Sequence, residues 1–193
     1  MTEMSRYETL LSICQGRKST RDFADRALSP ELIQKILDVA LTAPYASGKR
    51  NWEIVVVTDP EQRQRMVEAV RQRAGEIEGQ VKEAFRPEFA TYAENFSAFS
   101  TAPAIFIPTY RIAPSLSLMY AETDEKTRQW ERDNYVKSIA CVGMLTLLAA
   151  ESLGLAGCFM TGPLLAEDEL ATIIGAKRGR SLAALIPIGY RKE

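Results

Sequence analysis

Two short segments hold the residue types that could do chemistry. The first is Arg17-Lys18-Ser19-Thr20-Arg21. In an extended chain side chains alternate, so Arg17, Ser19 and Arg21 face one way. Two guanidinium forks and a hydroxyl converging there suit a phosphate, because Arg offers charge and bidentate hydrogen bonding together. A solvated basic loop would have the same composition. The second segment is Ala43-Pro44-Tyr45-Ala46-Ser47-Gly48-Lys49-Arg50-Asn51-Trp52. Its small residues and Gly48 let a backbone approach a flat ligand closely, and Pro44 sets one corner. A plain helix-to-strand turn would look the same.

What is missing narrows the chemistry further. The chain has no His. That excludes Ser-His-Asp and Cys-His catalysis, His-ligated zinc and haem, and imidazole acid–base chemistry. Cys14, Cys141 and Cys158 form no CxxC pair, so a closed zinc site lacks ligands. There is no GxGxxG. Gly48-Lys49 is followed by Arg50, and Ala43 stands where a Walker A loop needs Gly. Gly179-Arg180-Ser181-Leu182-Ala183 imitates part of a nucleophile elbow but has no base, so Ser181 is expected at a strand edge. Asp124-Glu125 reads as a solvated acidic tip. The 24 Lys+Arg against 25 Asp+Glu leave a formal charge of -1 over 193 residues, which argues against a broad nucleic-acid surface.

These segments need elements to position them. The spacing predicts a helix over 7–13, with Leu10, Leu11 and Cys14 as its apolar residues, ended by Gln15-Gly16. Ser29-Pro30-Glu31 opens another, with Ser as cap and Pro at the first position. Leu32, Ile33, Ile36, Leu37 and Ala40 repeat on its inner face, and Pro44 stops it. Residues 52–58 read as a buried strand. Asp59-Pro60 starts a long charged helix with Met66, Val67, Val70, Ala74, Ile77 and Val81 as its stripe. Gly75 and Gly79 are expected to weaken or break it.

Phe89, Tyr92, Phe96 and Phe99, three to four apart, predict a further helix that places them in the core. A strand is expected over 104–107, then a surface excursion over 108–130. Residues 135–153 are apolar on nearly all sides and predict a central helix, with Gly154 as its C-cap. Its uncharged run, 139–150, is too short to span a bilayer. A strand over 155–160, a helix over 167–174 closed by Gly175 and a strand over 182–188 complete one domain, 1–193, of α/β or α+β class. The opening MTEMSRYETL has no apolar h-region, and the cysteines are odd and scattered. Both give the expectation of a cytoplasmic protein with neither a signal peptide nor a membrane span.

Taken in order, the segments resemble the FMN-dependent nitroreductase family. Arg17-Lys18-Ser19-Thr20-Arg21-Asp22-Phe23 matches that family's R-R-S-x-R-x-F-like opening. Ala43-Pro44 through Trp52, followed by Glu53-Ile54-Val55-Val56-Val57, matches its A-P-S-x-x-N-x-Q-x-W-like loop and strand. Gly154-Leu155-Ala156-Gly157-Cys158-Phe159-Met160-Thr161-Gly162 is similar to its G-L-G-x-C-W-M-G-G-like strand and turn. Ala184-Leu185-Ile186-Pro187-Ile188-Gly189-Tyr190 is similar to its A-L-I-P-L-G-Y ending. The resemblance covers most of the chain except residues 62–130.

The resemblance implies an α+β fold, with a central, mostly antiparallel sheet flanked by helices. It also implies an intertwined homodimer with FMN at the interface. Arg17, Lys18, Ser19 and Arg21 would hold the FMN phosphate and ring edge. Pro44, Tyr45, Ala46, Ser47 and Gly48 would lie against the isoalloxazine of the other subunit. Thr161 and Gly162 would offer backbone groups near N5. Arg191, with Lys192 beside it, would stand in for the family's C-terminal basic segment.

The implied reaction is ping-pong, from NADH or NADPH through flavin N5 to an electron-poor small molecule such as a nitroaromatic or quinone. Reductive dehalogenation, flavin destruction, dehydrogenation, or flavin binding without turnover are the alternatives on the same fold. Gly48 stands where the family often has Asn, Arg50 where it has Gln, and Val142-Gly143 where it has Gln-Asn. Residues 85–130 would form a substrate-facing excursion, with Tyr92, Phe96, Phe99, Tyr110, Tyr120 and Trp130 as possible stacking partners for an acceptor. Of these, Tyr110 and Tyr120 are candidates for a pocket wall.

Overall fold

The computed structural model describes residues 4–45, 50–112, 119–120 and 122–192. Ala46, Ser47 and Gly48, expected at the flavin, lie outside the described residues. Strand β1 (Trp52–Val57) pairs antiparallel with β2 (Ala104–Tyr110), with Trp52 opposite Tyr110 and Val57 opposite Ile105. On its other side β2 meets two strands, β4 (Ser181–Leu182) and β5 (Ile186–Gly189). Beyond β5 lies β3 (Ala156–Gly157), so the path runs β1-β2-β5-β3 and every pairing between these strands is antiparallel. The expected strand over 182–188 is therefore split. Pro108 of β2 has no N–H to donate. Its carbonyl accepts from Ala183 N at 2.8 Å, and Leu185 turns away to exchange two 2.9 Å backbone bonds with Met160.

Helices cover both faces of the sheet. Alternation along β2 sends Ile105 and Ile107 into one core and Ala104 and Phe106 into another. On the first face, α3 (Pro60–Glu78) contributes Met66, Val67, Val70 and Ala74, and α6 (Glu167–Ile173) contributes Leu170. Gly75 does not break α3, which ends at Gly79. On the second face, α2 (Pro30–Ala40) buries Ile36 and Ala40, and α5 (Glu125–Ser152) buries Tyr135, Ile139, Val142 and Leu147. The N-caps Ser29 and Asp59 form as the sequence requires. Gly154 and Gly175 sit at positive φ after α5 and α6.

Helix α1 (Arg6–Gly16) carries a complete capping box from Ser5 and Glu8, yet buries none of its residues. Helix α4 (Arg86–Glu94) lies between short 3-10 turns over 83–85 and 95–97 and buries none of its own.

Helix α5 overturns two expectations. It begins at Glu125, because Asp124 caps it by accepting from Thr127 N at 2.7 Å. Asp124-Glu125 is thus solvated as expected, but it is a helix start rather than a loop tip. Residues 108–110 belong to β2 and 125–130 to α5, so neither end of the expected 108–130 excursion is irregular. Among the described residues, α5 is the one helix long and apolar enough to cross a membrane by length and composition. Its buried positions pack against the sheet and α2.

Candidate functional site

After α1 the chain runs extended along the edge of β3. Ser19 bridges Gly157 in parallel, and Phe23 bridges Arg191 in antiparallel fashion. Thr20 N donates to Gly157 O at 3.1 Å, Ala24 N to Tyr190 O at 3.0 Å, and Phe23 N to Thr101 Oγ1 at 3.2 Å. The buried Phe23 ring anchors this segment in the first core. Gly157 itself lets β3 pack closely between α5 and β5. A Cβ there would fall 2.9 Å from Leu147 Cδ2 and 3.0 Å from the Pro187 carbonyl.

β3 then leads to Phe159, Met160, Thr161 and Gly162. A Cβ at Gly162 would overlap the Phe96 ring, and one at Gly143 on α5 would overlap Phe159. Both glycines are positions where an aromatic ring occupies the side-chain space. Gly143, a departure from the family pattern, thereby makes room for Phe159.

Arg21, Thr161 and Gly162 line one cavity of about 130 Å³ together with Tyr92, Asn95, Phe96, Phe159, Met160 and Pro163. Three residues singled out by the sequence, from two segments far apart in the chain, therefore meet. Arg17, Lys18 and Ser19 lie on the same anchored segment as Arg21. Among the described residues, none of these four side chains has an ion pair or hydrogen-bond partner, so Arg17, Lys18 and Arg21 present uncompensated charge. The nearby acids are engaged elsewhere: Asp22 with Lys192 at 3.1 Å and Glu151 with Arg191 at 2.6 Å. Arg191 thus adjoins the start of the segment without lining the cavity.

Pro44 and Tyr45 are exposed after α2 and do not line this cavity. The far end of their loop is held firmly. Asn51 Nδ2 donates to Arg111 O at 2.6 Å, and Arg180 Nη1 donates to Asn51 O at 3.1 Å. Glu53 pairs with Lys177 at 2.6 Å and Arg180 at 3.3 Å. The Arg50 guanidinium stands 5.4 Å from the Trp52 ring centroid.

The aromatic expectations divide. Phe96 and Phe99 are buried, as the spacing implied. Tyr92 is not core: it is 63% exposed and meets Phe96 edge-on, at 4.9 Å and 82°. The reason is that α4 ends at Glu94, so the four aromatics do not share one helix. Tyr110 is not a pocket wall. It is 7% exposed, packs with Trp52, Tyr135 and Val142, and burial raises its phenol above the usual range. Tyr120 and Trp130 are exposed. Sequence reasoning missed Asn95 and Phe159. Phe159 carried no periodic signal: residues 155–158 and 160 are buried around it, and it is the exposed one of that run.

A model of the nitroreductase family matches residues 14–190. An iodotyrosine deiodinase from Haliscomenobacter hydrossis is 25% identical over 182 residues, covering 92% of this chain and 77% of that one. The matches to the curated relatives span 34% to 77% of those relatives' length. The fold is that of a BluB-like flavoprotein from Clostridium difficile 630, with TM-score 0.84, 21% identity, and coverage of 99% of this chain and 92% of that chain. It is also that of a nitroreductase with bound FMN from Desulfitobacterium hafniense DCB-2, with TM-score 0.73, 21% identity and the same coverage.

Proposed function

The chain belongs to the nitroreductase family, and from that premise we propose that it is an FMN-dependent oxidoreductase carrying electrons from NADH or NADPH to an electron-poor acceptor such as a nitroaromatic or quinone. One observation carries the reading. Three cations with no acidic partner among the described residues sit on a segment anchored to β3, and one of them shares a cavity with Thr161 and Gly162. A phosphate dianion suits that charge, and an anionic ring edge suits Arg21. Arg17, Lys18 and Ser19 would hold the phosphate, while the Thr161 and Gly162 backbone would face the ring. Once bound, the flavin would supply the redox chemistry. Phe159 and Tyr92 would wall the acceptor and keep water out.

The cavity of about 130 Å³ is smaller than the roughly 300 Å³ or more of an ordinary cofactor pocket. Pro44 and Tyr45, at the start of the loop assigned to the same flavin, do not line this cavity. A second copy of the chain would bring that loop in. The exposed Tyr7, Leu10 and Leu11 of α1 are an apolar surface that such a copy would cover.

Reductive dehalogenation is the second reading, supported by the match to an iodotyrosine deiodinase over 92% of the chain. One experiment addresses both. The purified protein is expected to show absorption bands near ~375 and ~450 nm. Anaerobic NADH or NADPH should bleach them, and a nitroaromatic or quinone should restore them. Restoration only by an iodinated phenol favours dehalogenation. A colourless protein that retains no added FMN through gel filtration sinks the flavin reading.

A further inference from the structure

Glu151, near the C-terminal end of α5, lies against the junction of α1 with the 17–24 segment. Its Oε2 is 2.6 Å from Arg191 Nη2, and that same Nη2 donates to Gly16 O at 3.4 Å. Gly16 is the last residue of α1, and Arg17 is its C-cap. A Cβ at Gly16 would fall 2.6 Å from Glu151 Oε1, so the carboxylate sits directly on that backbone. The Glu151 side chain is 17% exposed and that of Arg191 is 43% exposed. Arg191 is also held through its backbone bridge to Phe23. One ion pair therefore ties together α5, the chain after β5, and both ends of the segment that carries Arg17, Lys18, Ser19 and Arg21.

The family pattern assigns a C-terminal base to the phosphate. The geometry points elsewhere in this chain: we infer that Arg191 is a strut and Glu151 a positioning residue. Together they set the path of residues 17–21, and Arg17, Lys18 and Ser19 do the anion binding. The Arg191 charge is already answered by Glu151, whereas Arg17, Lys18 and Arg21 have no acidic partner among the described residues. Drawing Arg191 onto an anion would strip a largely buried carboxylate of its cation and leave like charges facing each other. Both effects are unfavourable.

The inference rests on the FMN reading for its binding readout only, and a second readout is independent of it. Glu151→Gln keeps the side chain's size and leaves Arg191 intact, so the two roles for Arg191 predict opposite signs. If Arg191 is a strut, Glu151→Gln and Arg191→Ala each weaken FMN binding to the apoprotein, by about threefold to tenfold. The double variant then loses no more than the worse single. Amide exchange of residues 17–21 in the FMN-free protein speeds up in each variant.

If Arg191 is a phosphate ligand, Glu151→Gln releases it. FMN then binds as well as before or more tightly, amide exchange at 17–21 stays unchanged, and the inference is overturned. Should Arg191→Ala fail to fold, Glu151→Gln alone decides by its sign. Should the wild-type protein bind no FMN, the flavin reading falls, while amide exchange still decides whether the strut exists.

Discussion

Arg17 and Arg21 present charges that nothing among the described residues answers, and their roles separate by experiment. Arg17→Ala should weaken FMN about tenfold to hundredfold, the worth of a charge-assisted hydrogen bond. It should leave riboflavin, which lacks the phosphate, nearly unaffected. Fluorescence titration of the apoprotein reads both ligands, and equal losses for the two would refute the assignment. Gly162→Ala should cost about 1–3 kcal/mol in urea unfolding, because the new methyl meets the Phe96 ring.

Tyr110 offers a pH test at the same scale. Burial raises its phenol pKa in the folded state. Above about pH 10 the unfolded chain loses a proton that the folded chain still holds. Stability should therefore fall with rising pH until the folded phenol also ionises. Tyr110→Phe should remove this component of the alkaline limb, and an unchanged difference between pH 9 and 11 would count against it. The charge pattern at 17–21 was visible in the sequence. Asn95 was not, because an exposed Asn after a short helix carries no local signal that it will face Thr161.

At the scale of elements, capping was the most legible feature. Ser29 accepts from Leu32 N at 3.3 Å, and Ser29→Ala should cost about 1 kcal/mol of stability. Ser29→Asp should lose much less, and equal losses in thermal melts would mean that the hydroxyl does not cap. Apolar periodicity also located β1, α2, α3 and the second half of α5. It failed over 125–134, where α5 is polar and only the Asp124 cap marks its start. It failed again over 182–188, where an unbroken apolar run hides two strands. The break comes from Pro108 on a different strand and from Met160 on the far side of the sheet. No reading of residues 182–188 by themselves contains either cause.

For the molecule as a whole, the proposed second copy gives the decisive prediction. Tyr7→Glu with Leu10→Glu places two charges on the exposed face of α1 without touching the core. If a second copy completes the site, as proposed, the variant should sediment as a monomer and lose bound FMN together. A monomer that retained FMN would refute the shared site. The chain alone was sufficient for the caps, for the family and, through the family resemblance, for the α+β class, whereas the spacing of the elements by itself left α/β open. Folding decided which residues meet. Arg21 reached Thr161 and Gly162 because Ser19 and Thr20 pair with Gly157 of β3, and Phe23 with Arg191, each across more than a hundred residues. It also decided that Arg191 faces Glu151, and that Tyr110 is core rather than wall. Such outcomes depend on which backbone edges remain unpaired and which charges are already answered, quantities that exist only once the sheet and helices have packed.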